Sequence, residues 1–336
     1  MFTNLTRCYI IAEIGGNFTT IEQAAALIAA AKESGVDCVK LQTYSAETIV
    51  SGTAMFDMES TGKILQKDYF RRYEISRELH EKVITCSEQA GLDWFSTPSH
   101  ETDLEMLLEL GMKAIKIGAD DANNLPFLVN CARTGLPIIL STGMCTLAEV
   151  REAVDTILRC GNPHVIILHT VSGYPTYPQD VNLRVLETYR REFPGMYVGF
   201  SDHSLTPLAC IAAATMGANV VERHFTLDKT SEGPDHQISA TPDEMKYIVE
   251  SIRSIEIMRG SSVKMPYGPE VKNRLNNRKS LHVIKSVLKD ELFSPENIGI
   301  RRPGTGIEPK QLHKILGRSA ARNIDTDEIL GWTDIK

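Results

Sequence analysis

The chain has 336 residues, room for one large domain and a small one, and its 42% hydrophobic and 24% charged content is ordinary for a soluble globular protein. A formal charge of −7 argues against a nucleic-acid surface, which needs concentrated basic side chains, but leaves room for a local basic pocket. No apolar run reaches the roughly 18 residues of a membrane span, and the first residues enter a strand-like segment with no signal-peptide pattern. Seven cysteines are scattered, most of them in apolar runs, with no CxxC pair, so reduced core residues in a cytoplasmic protein are expected.

Along the chain, short β-branched runs alternate with amphipathic segments of helical length. The strand-like runs lie at 8–14, 38–42, 93–97, 114–117, 137–141, 165–168, 197–201 and 219–225. Between them fall stretches such as IEQAAALIAAAKES, ISRELHEKVITCSEQA, LAEVREAVDTILRC and PDEMKYIVESIRSIEIM, with apolar residues three and four apart. Gly35, Gly91, Gly111 and Gly135 close helices just before a strand, as C-caps do. Eight strand–helix units in about 250 residues match a (β/α)8 barrel. An open doubly wound sheet is the alternative, but Gly15-Gly16-Asn17 does not make the GxGxxG turn such a sheet uses for phosphate. Residues 44–75 form a long insertion after the second strand, on the face where barrel sites lie. The barrel is expected over 1–258, a linker rich in Gly, Pro, Ser and alternating charge over 259–277, and a compact satellite domain over 278–336.

In a barrel the carboxyl ends of the strands build the site. Those ends carry Glu13, Lys40 with Gln42, Thr97, Lys116, Ser141, His169, Ser201-Asp202-His203 and Glu222 with His224. Lys40 and Lys116 sit inside apolar runs, where burial is costly without an anionic partner. With Ser141 and Ser201 they could hold a phosphate and a carboxylate; internal Lys–Glu salt bridges are the other reading. His203, His224 and His236 each neighbour a carboxylate (Asp202, Glu222, Asp235), which suits a divalent metal or acid–base site. Residue types alone lead to a metal-assisted barrel enzyme with a small anionic substrate.

An ordered series of motifs goes further. It comprises IAEIGGN (11–17), VKLQTY (39–44), STPSH (96–100), KIGADDANNLPFL (116–128), STGM (141–144), LHTVSGYPTYPQDVNL (168–183), GFSDHS (199–204), VERHFTLDKTSEGPDH (221–236) and RRPGTGI (301–307). The series resembles the sialic acid (N-acetylneuraminate) synthases, which condense phosphoenolpyruvate with an N-acetylmannosamine-type sugar and release phosphate. The resemblance implies an α/β fold, a (β/α)8 TIM barrel followed by an antifreeze-like (SAF) domain. It implies that His203 and His224 hold a divalent metal, Mn2+ or Mg2+. Lys40, Gln42, Lys116, Ser141, Tyr174 and Ser201 would line the phosphoenolpyruvate site. Glu13, Asp121 and Asp235 would face the sugar and supply acid–base groups, and His236 would act with Asp235 or orient it. Arg302 would reach the barrel of the partner in a domain-swapped homodimer.

Three positions depart from the family pattern: Phe18 stands for a His, Ala119 for a Ser and Ser172 for an Asn. They leave open a weaker phosphate site, a different acceptor or a non-catalytic sugar-binding paralogue. A related aldolase or ulosonate synthase would share the barrel without the C-terminal domain. The acceptor is expected to be unphosphorylated; N-acetylmannosamine 6-phosphate and the diacetamido sugars that lead to legionaminic or pseudaminic acid are the alternatives. The 44–75 insertion is expected to carry that choice.

Overall fold

The computed structural model describes residues 1–336 apart from Thr3 and residues 59–61, so those three positions of the insertion lie outside the described set. Twelve strands are described: β1 (Tyr9–Glu13), β2 (Cys38–Thr43), β3 (Met55–Met58), β4 (Gly62–Leu65), β5 (Asp93–Pro98), β6 (Ile115–Ile117), β7 (Ile138–Ser141), β8 (Val165–Thr170), β9 (Tyr197–Asp202), β10 (Val220–His224), β11 (Ser280–Val283) and β12 (Ile298–Arg301). Eight of them close a parallel barrel in the order β1-β10-β9-β8-β7-β6-β5-β2. The fold is therefore the TIM barrel that the alternation predicts.

Local chemistry places the helices around it. Thr20, Thr146 and Thr241 each cap a helix, and a Gln or Glu three residues on completes a capping box. Gly35 ends the helix Ile21–Ser34 at φ +82°, a left-handed conformation in which a Cβ would be strained. The strands are buried on both faces, so β6 and β7 read as unbroken apolar runs interrupted only by their functional groups. One continuous core runs through barrel and helices, from Ile10 and Ile11 to Ile248 and Ile252.

The 44–75 insertion is not an irregular loop. It folds into a short helix (Ala46–Ile49), the antiparallel hairpin β3–β4, and the helix Gln66–Tyr73. The chain divides into two compact units, Met1–Gly260 and Ser261–Lys336. Of the stretch 259–277, expected as a linker, residues 261–277 belong to the second unit and Pro269–Asn277 is helical. That unit pairs β11 with β12 and has its own small core of Leu281, Val283, Phe293, Ile298, Ile315 and Leu330. Among the described residues, no helix is long and apolar enough to cross a membrane.

Candidate active site

A cavity of about 420 Å³ opens at the carboxyl ends of the barrel strands. Strand register assembles its floor. Glu13 of β1 lies level with His224 of β10 on one side and with Lys40 of β2 on the other. Glu222 of β10 lies level with Ser201 of β9. Because side chains alternate along a strand, Glu222 and His224 share the inward face and Arg223 points away.

The floor is a network of buried charge. Lys40 is ion-paired with Glu13, donates to Thr97 Oγ1 at 3.1 Å, and lies 3.9 Å from Glu222 Oε1. Lys116 Nζ lies 3.9 Å from the same Glu222 oxygen and donates to the Ile117 carbonyl at 3.1 Å. Ser201 Oγ donates to Glu222 Oε1 at 2.9 Å, while Glu222 Oε2 is buried with no hydrogen-bond partner. Glu13 Oε1 accepts the Gly15 N–H at 2.5 Å, and a Cβ at residue 15 would sit 2.5 Å from that oxygen, so glycine is required there.

These contacts set the ionisation of the floor. Burial raises the Glu13 carboxyl to about 7, with Lys40 pulling the other way. Burial alone would lower Lys40, but Glu13 and Glu222 outweigh it and hold the ammonium charged. Burial pushes Lys116 down to about 8. Burial would raise Glu222, yet Lys116 and Lys40 keep it below the usual carboxylate range.

His203 and His224 stand side by side, ring centroids 5.4 Å apart, and Tyr174 stacks on His203 at 4.3 Å. Burial lowers both imidazoles, so both are neutral. Nδ1 of His203 bonds the Val171 carbonyl at 2.8 Å, leaving Nε2 available. Nδ1 of His224 makes no hydrogen bond; Asp235 Oδ2 lies 3.4 Å away. Burial raises the Asp235 carboxyl to about 7, against a hydrogen bond from Gln42 and the charge of Lys40. Two neutral imidazoles, one anchored by a carbonyl and the other with a free buried nitrogen, suit a divalent cation. Among the described residues no group of three or more His, Cys, Asp or Glu side chains is arranged around one point. An ion here would complete its shell from water or substrate oxygen.

Of the residues expected at the site, Lys40, Gln42, Lys116, Ser141, Tyr174, Ser201, His203, His224 and Asp235 all border this cavity. Glu13 is fully buried beneath it, joined to Lys40. Asp121 does not border it. The turn Ala119–Asp121 directs Asp120 inward instead, and Asp121 accepts a hydrogen bond from Asn124 at 2.9 Å. His236 also stays outside, its Nδ1 2.6 Å from Thr226 Oγ1. Arg302 is exposed on the second unit.

The adjacency of Asp202 to His203 is misleading. Asp202 faces out of the barrel and is ion-paired with Arg223, and it accepts the Ser204 N–H at 2.9 Å. His169 likewise faces outward and bonds the Val181 carbonyl at 2.7 Å. Phe18 is buried in the barrel core and touches no part of the cavity, whereas Ala119 and Ser172 do border it.

Residues 27–264 match the NeuB family and residues 278–336 the SAF domain. The chain belongs to the NeuB family of sialic acid synthases. It is 39% identical to the N,N'-diacetyllegionaminic acid synthase of Legionella pneumophila, over 98% of this chain and 95% of that one. The N-acetylneuraminate-9-phosphate synthase of Drosophila melanogaster is 34% identical, over 97% and 85%. A solved N-acetylneuraminic acid synthetase from Leptospira borgpetersenii superposes with a TM-score of 0.71 at 28% identity, covering 80% of this chain and 91% of that one. The protein is accordingly an enzyme, a transferase of the nonulosonic acid synthase kind.

Proposed function

We infer that this enzyme condenses phosphoenolpyruvate with the open-chain aldehyde of an N-acetylmannosamine-type sugar and releases phosphate. The observation that carries this reading is the pairing, in one cavity, of two buried ammonium groups with two neutral imidazoles. Lys40, Lys116, Ser141 and Ser201 bind the carboxylate and phosphate of the enol substrate and fix its orientation. His203 and His224 hold the divalent ion, manganese or magnesium, which when bound polarises the sugar aldehyde as a Lewis acid.

The enol C3 attacks the aldehyde carbon, forming the new C–C bond. Water adds to the cationic C2, and the tetrahedral product expels phosphate. Glu13 or Asp235 takes the proton from that water or delivers one to the new alkoxide; both carboxyls lie near neutrality. Acidic groups outnumber the two lysines here, with Asp120, Glu222 and Asp235 bordering the cavity and Glu13 beneath it, so a multiply charged anion needs further positive charge. A divalent ion held by His203 and His224 would supply part of it. Arg302 would reach the barrel of the partner in a domain-swapped homodimer, contact the sugar and close the site to water.

The test is phosphate release from phosphoenolpyruvate with manganese, across a panel of acceptor sugars, with and without chelator. Release that requires both a sugar and the metal is expected. Release without sugar, or none with any sugar from folded, metal-loaded enzyme, contradicts the reading.

A further inference from the structure

The second unit carries Arg302 on a loop that is fastened on both sides of that residue. Ser280 of β11 lies level with Arg301 of β12, so the loop 302–306 begins just beyond this pair. At the far end, the Leu281 N–H donates to the Ile307 carbonyl at 2.9 Å and the Ile307 N–H to the Leu330 carbonyl at 2.9 Å. Between the ends, Ser280 Oγ donates to the Pro303 carbonyl at 2.6 Å, and the Gly304 N–H donates to the Leu275 carbonyl at 2.9 Å. A Cβ at residue 306 would sit 2.7 Å from the Leu330 carbonyl oxygen and 3.1 Å from Ser280 Oγ. Only glycine lets the backbone lie that close to the serine.

The two arginines that open this loop are treated differently. Arg301 is ion-paired with Asp327. Arg302 is exposed and, among the described residues, has no ion-pair partner. The backbone beside it is held while its guanidinium is left free. A rigid five-donor fork gains most from a contact when the chain that carries it loses little freedom on making it.

Ser280 is the centre of the fastening. Leu281 and Val283 point into the small core of the unit, so Ser280 and His282 alternate to the other face of β11, beneath the loop. Ser280 is fully buried, and His282 Nε2 lies 3.3 Å from its Oγ. Because the hydroxyl proton is directed at Pro303, the imidazole N–H is the donor in that contact. The chain from His282 through Ser280 to the Pro303 carbonyl ends one residue from Arg302. We propose that Ser280, supported by His282, is a positioning residue that holds this loop so that Arg302 is presented in its contact geometry before the sugar binds. The proposal rests on the reading that Arg302 contacts the sugar across the dimer, and it adds the group that keeps the arginine ready.

The test is a double-mutant cycle of Ser280→Ala and Arg302→Ala in the full-length enzyme. It is read by phosphate release with manganese, phosphoenolpyruvate and the acceptor sugar turned over fastest. Arg302→Ala should lower kcat/KM for the sugar by roughly 100-fold. Ser280→Ala should lower it by roughly 3–10-fold, the effect of one hydrogen bond, while KM for phosphoenolpyruvate moves less than about twofold. In the Arg302→Ala background, removing the serine hydroxyl should cost less than about twofold more. Amide exchange over 302–306 should quicken in Ser280→Ala while β11 and β12 exchange as in the wild type. His282→Leu, which removes the donor to Ser280, should move the same readouts in the same direction and by less. It takes the place of Ser280→Ala if that variant does not fold.

Equal losses from Ser280→Ala in both backgrounds overturn the proposal, and so does unchanged exchange over the loop. An Arg302→Ala variant with wild-type kinetics removes the arginine from the site and the proposal with it, while the condensation reading stands. Should no sugar support release, the condensation reading falls, and loop exchange alone decides the proposal: faster exchange in Ser280→Ala upholds the serine's hold on the arginine, unchanged exchange rejects it.

Discussion

The floor and the mouth of one cavity are built on opposite principles. The floor is made of strand-end charges held within the barrel: Lys40, Lys116, Glu13 and Glu222 are each almost wholly buried and locked to one another. The mouth is made of half-buried rings, Phe56, Tyr69, Phe70 and Tyr73, on an inserted hairpin and helix that pack on each other rather than on the barrel. Electrostatic preorganisation needs a rigid surround, because a dipole that relaxes loses its effect on developing charge. Selection among sugars needs only surface of the right polarity, and an insertion can change that surface without disturbing the barrel. On the proposed function, chemistry and choice of acceptor are separable in this fold.

Several substitutions would break or sharpen that division. The largest effect is expected for His203→Ala, which removes an imidazole proposed to hold the divalent ion. Turnover should fall by more than about 100-fold, a loss that an outer partner of a metal ligand can already cause. A variant whose metal-dependent turnover is intact would remove His203 from the site. Lys116→Met should follow, lowering kcat/KM by roughly 10²–10³-fold with every acceptor alike, because it deletes a donor from the proposed anion site. Unchanged KM and kcat for phosphoenolpyruvate would show that Lys116 serves only as the partner of Glu222.

Arg223→Met probes what supports the floor. Arg223 is fully buried, ion-paired with Asp202, and also contacts the Ile238 carbonyl at 3.4 Å, so it ties together the loops that follow His203 and Asp235. Its loss strands a buried carboxylate and should cost about 3–5 kcal/mol of stability, read from the urea midpoint. Phe56→Ala at the mouth should shift that midpoint far less. Equal shifts would mean that the rings at the mouth are a second structural core.

The smallest effect concerns His80, which is fully buried, with Nε2 2.9 Å from Thr43 Oγ1 and Nδ1 3.0 Å from the Ser76 carbonyl. Burial lowers its imidazole below the ordinary 6.5. The unfolded chain therefore takes up the proton first as pH falls. The stability His80 provides is complete above the unfolded value and is lost below it. Comparison with His80→Gln isolates this term from Glu13 and Asp235, whose raised values act in the opposite sense. The stability difference between wild type and variant should shrink from pH 8 to pH 5. A constant difference would contradict the neutral buried form.

Much of this was legible in the sequence, for physical reasons that differ from residue to residue. Lys40 and Lys116 announced themselves as charges inside apolar runs, which a fold tolerates only beside counter-charges. The alternation of strands and helices, with capping threonines and closing glycines, gave the barrel. Neighbours in sequence were less reliable than neighbours two apart. Asp202 adjoins His203 but belongs to the opposite face, while Glu222, two residues before His224, shares its face and joins both lysines. The sequence reading already set Glu222 beside His224 at the strand end, and period two puts the pair on one face. Asp120 and Asp121 could not be told apart, because one turn of 3-10 helix decides which faces in.

The aromatic mouth was hidden for another reason. Tyr69, Phe70 and Tyr73 have helical spacing, but their partners Tyr44 and Phe56 lie well upstream in the chain, and only the folded hairpin joins them.

The most direct measurement is a crossed steady-state series in which Lys116→Met and Phe56→Ala are each assayed against phosphoenolpyruvate and against the panel of acceptor sugars. Lys116→Met should raise KM for phosphoenolpyruvate and lower kcat while leaving the order of acceptors untouched. Phe56→Ala should change the order of acceptors and leave KM for phosphoenolpyruvate nearly as it was. A Lys116→Met variant that reorders the acceptors, or a Phe56→Ala variant that raises KM for phosphoenolpyruvate as much as Lys116→Met does, would contradict the division of labour between floor and mouth.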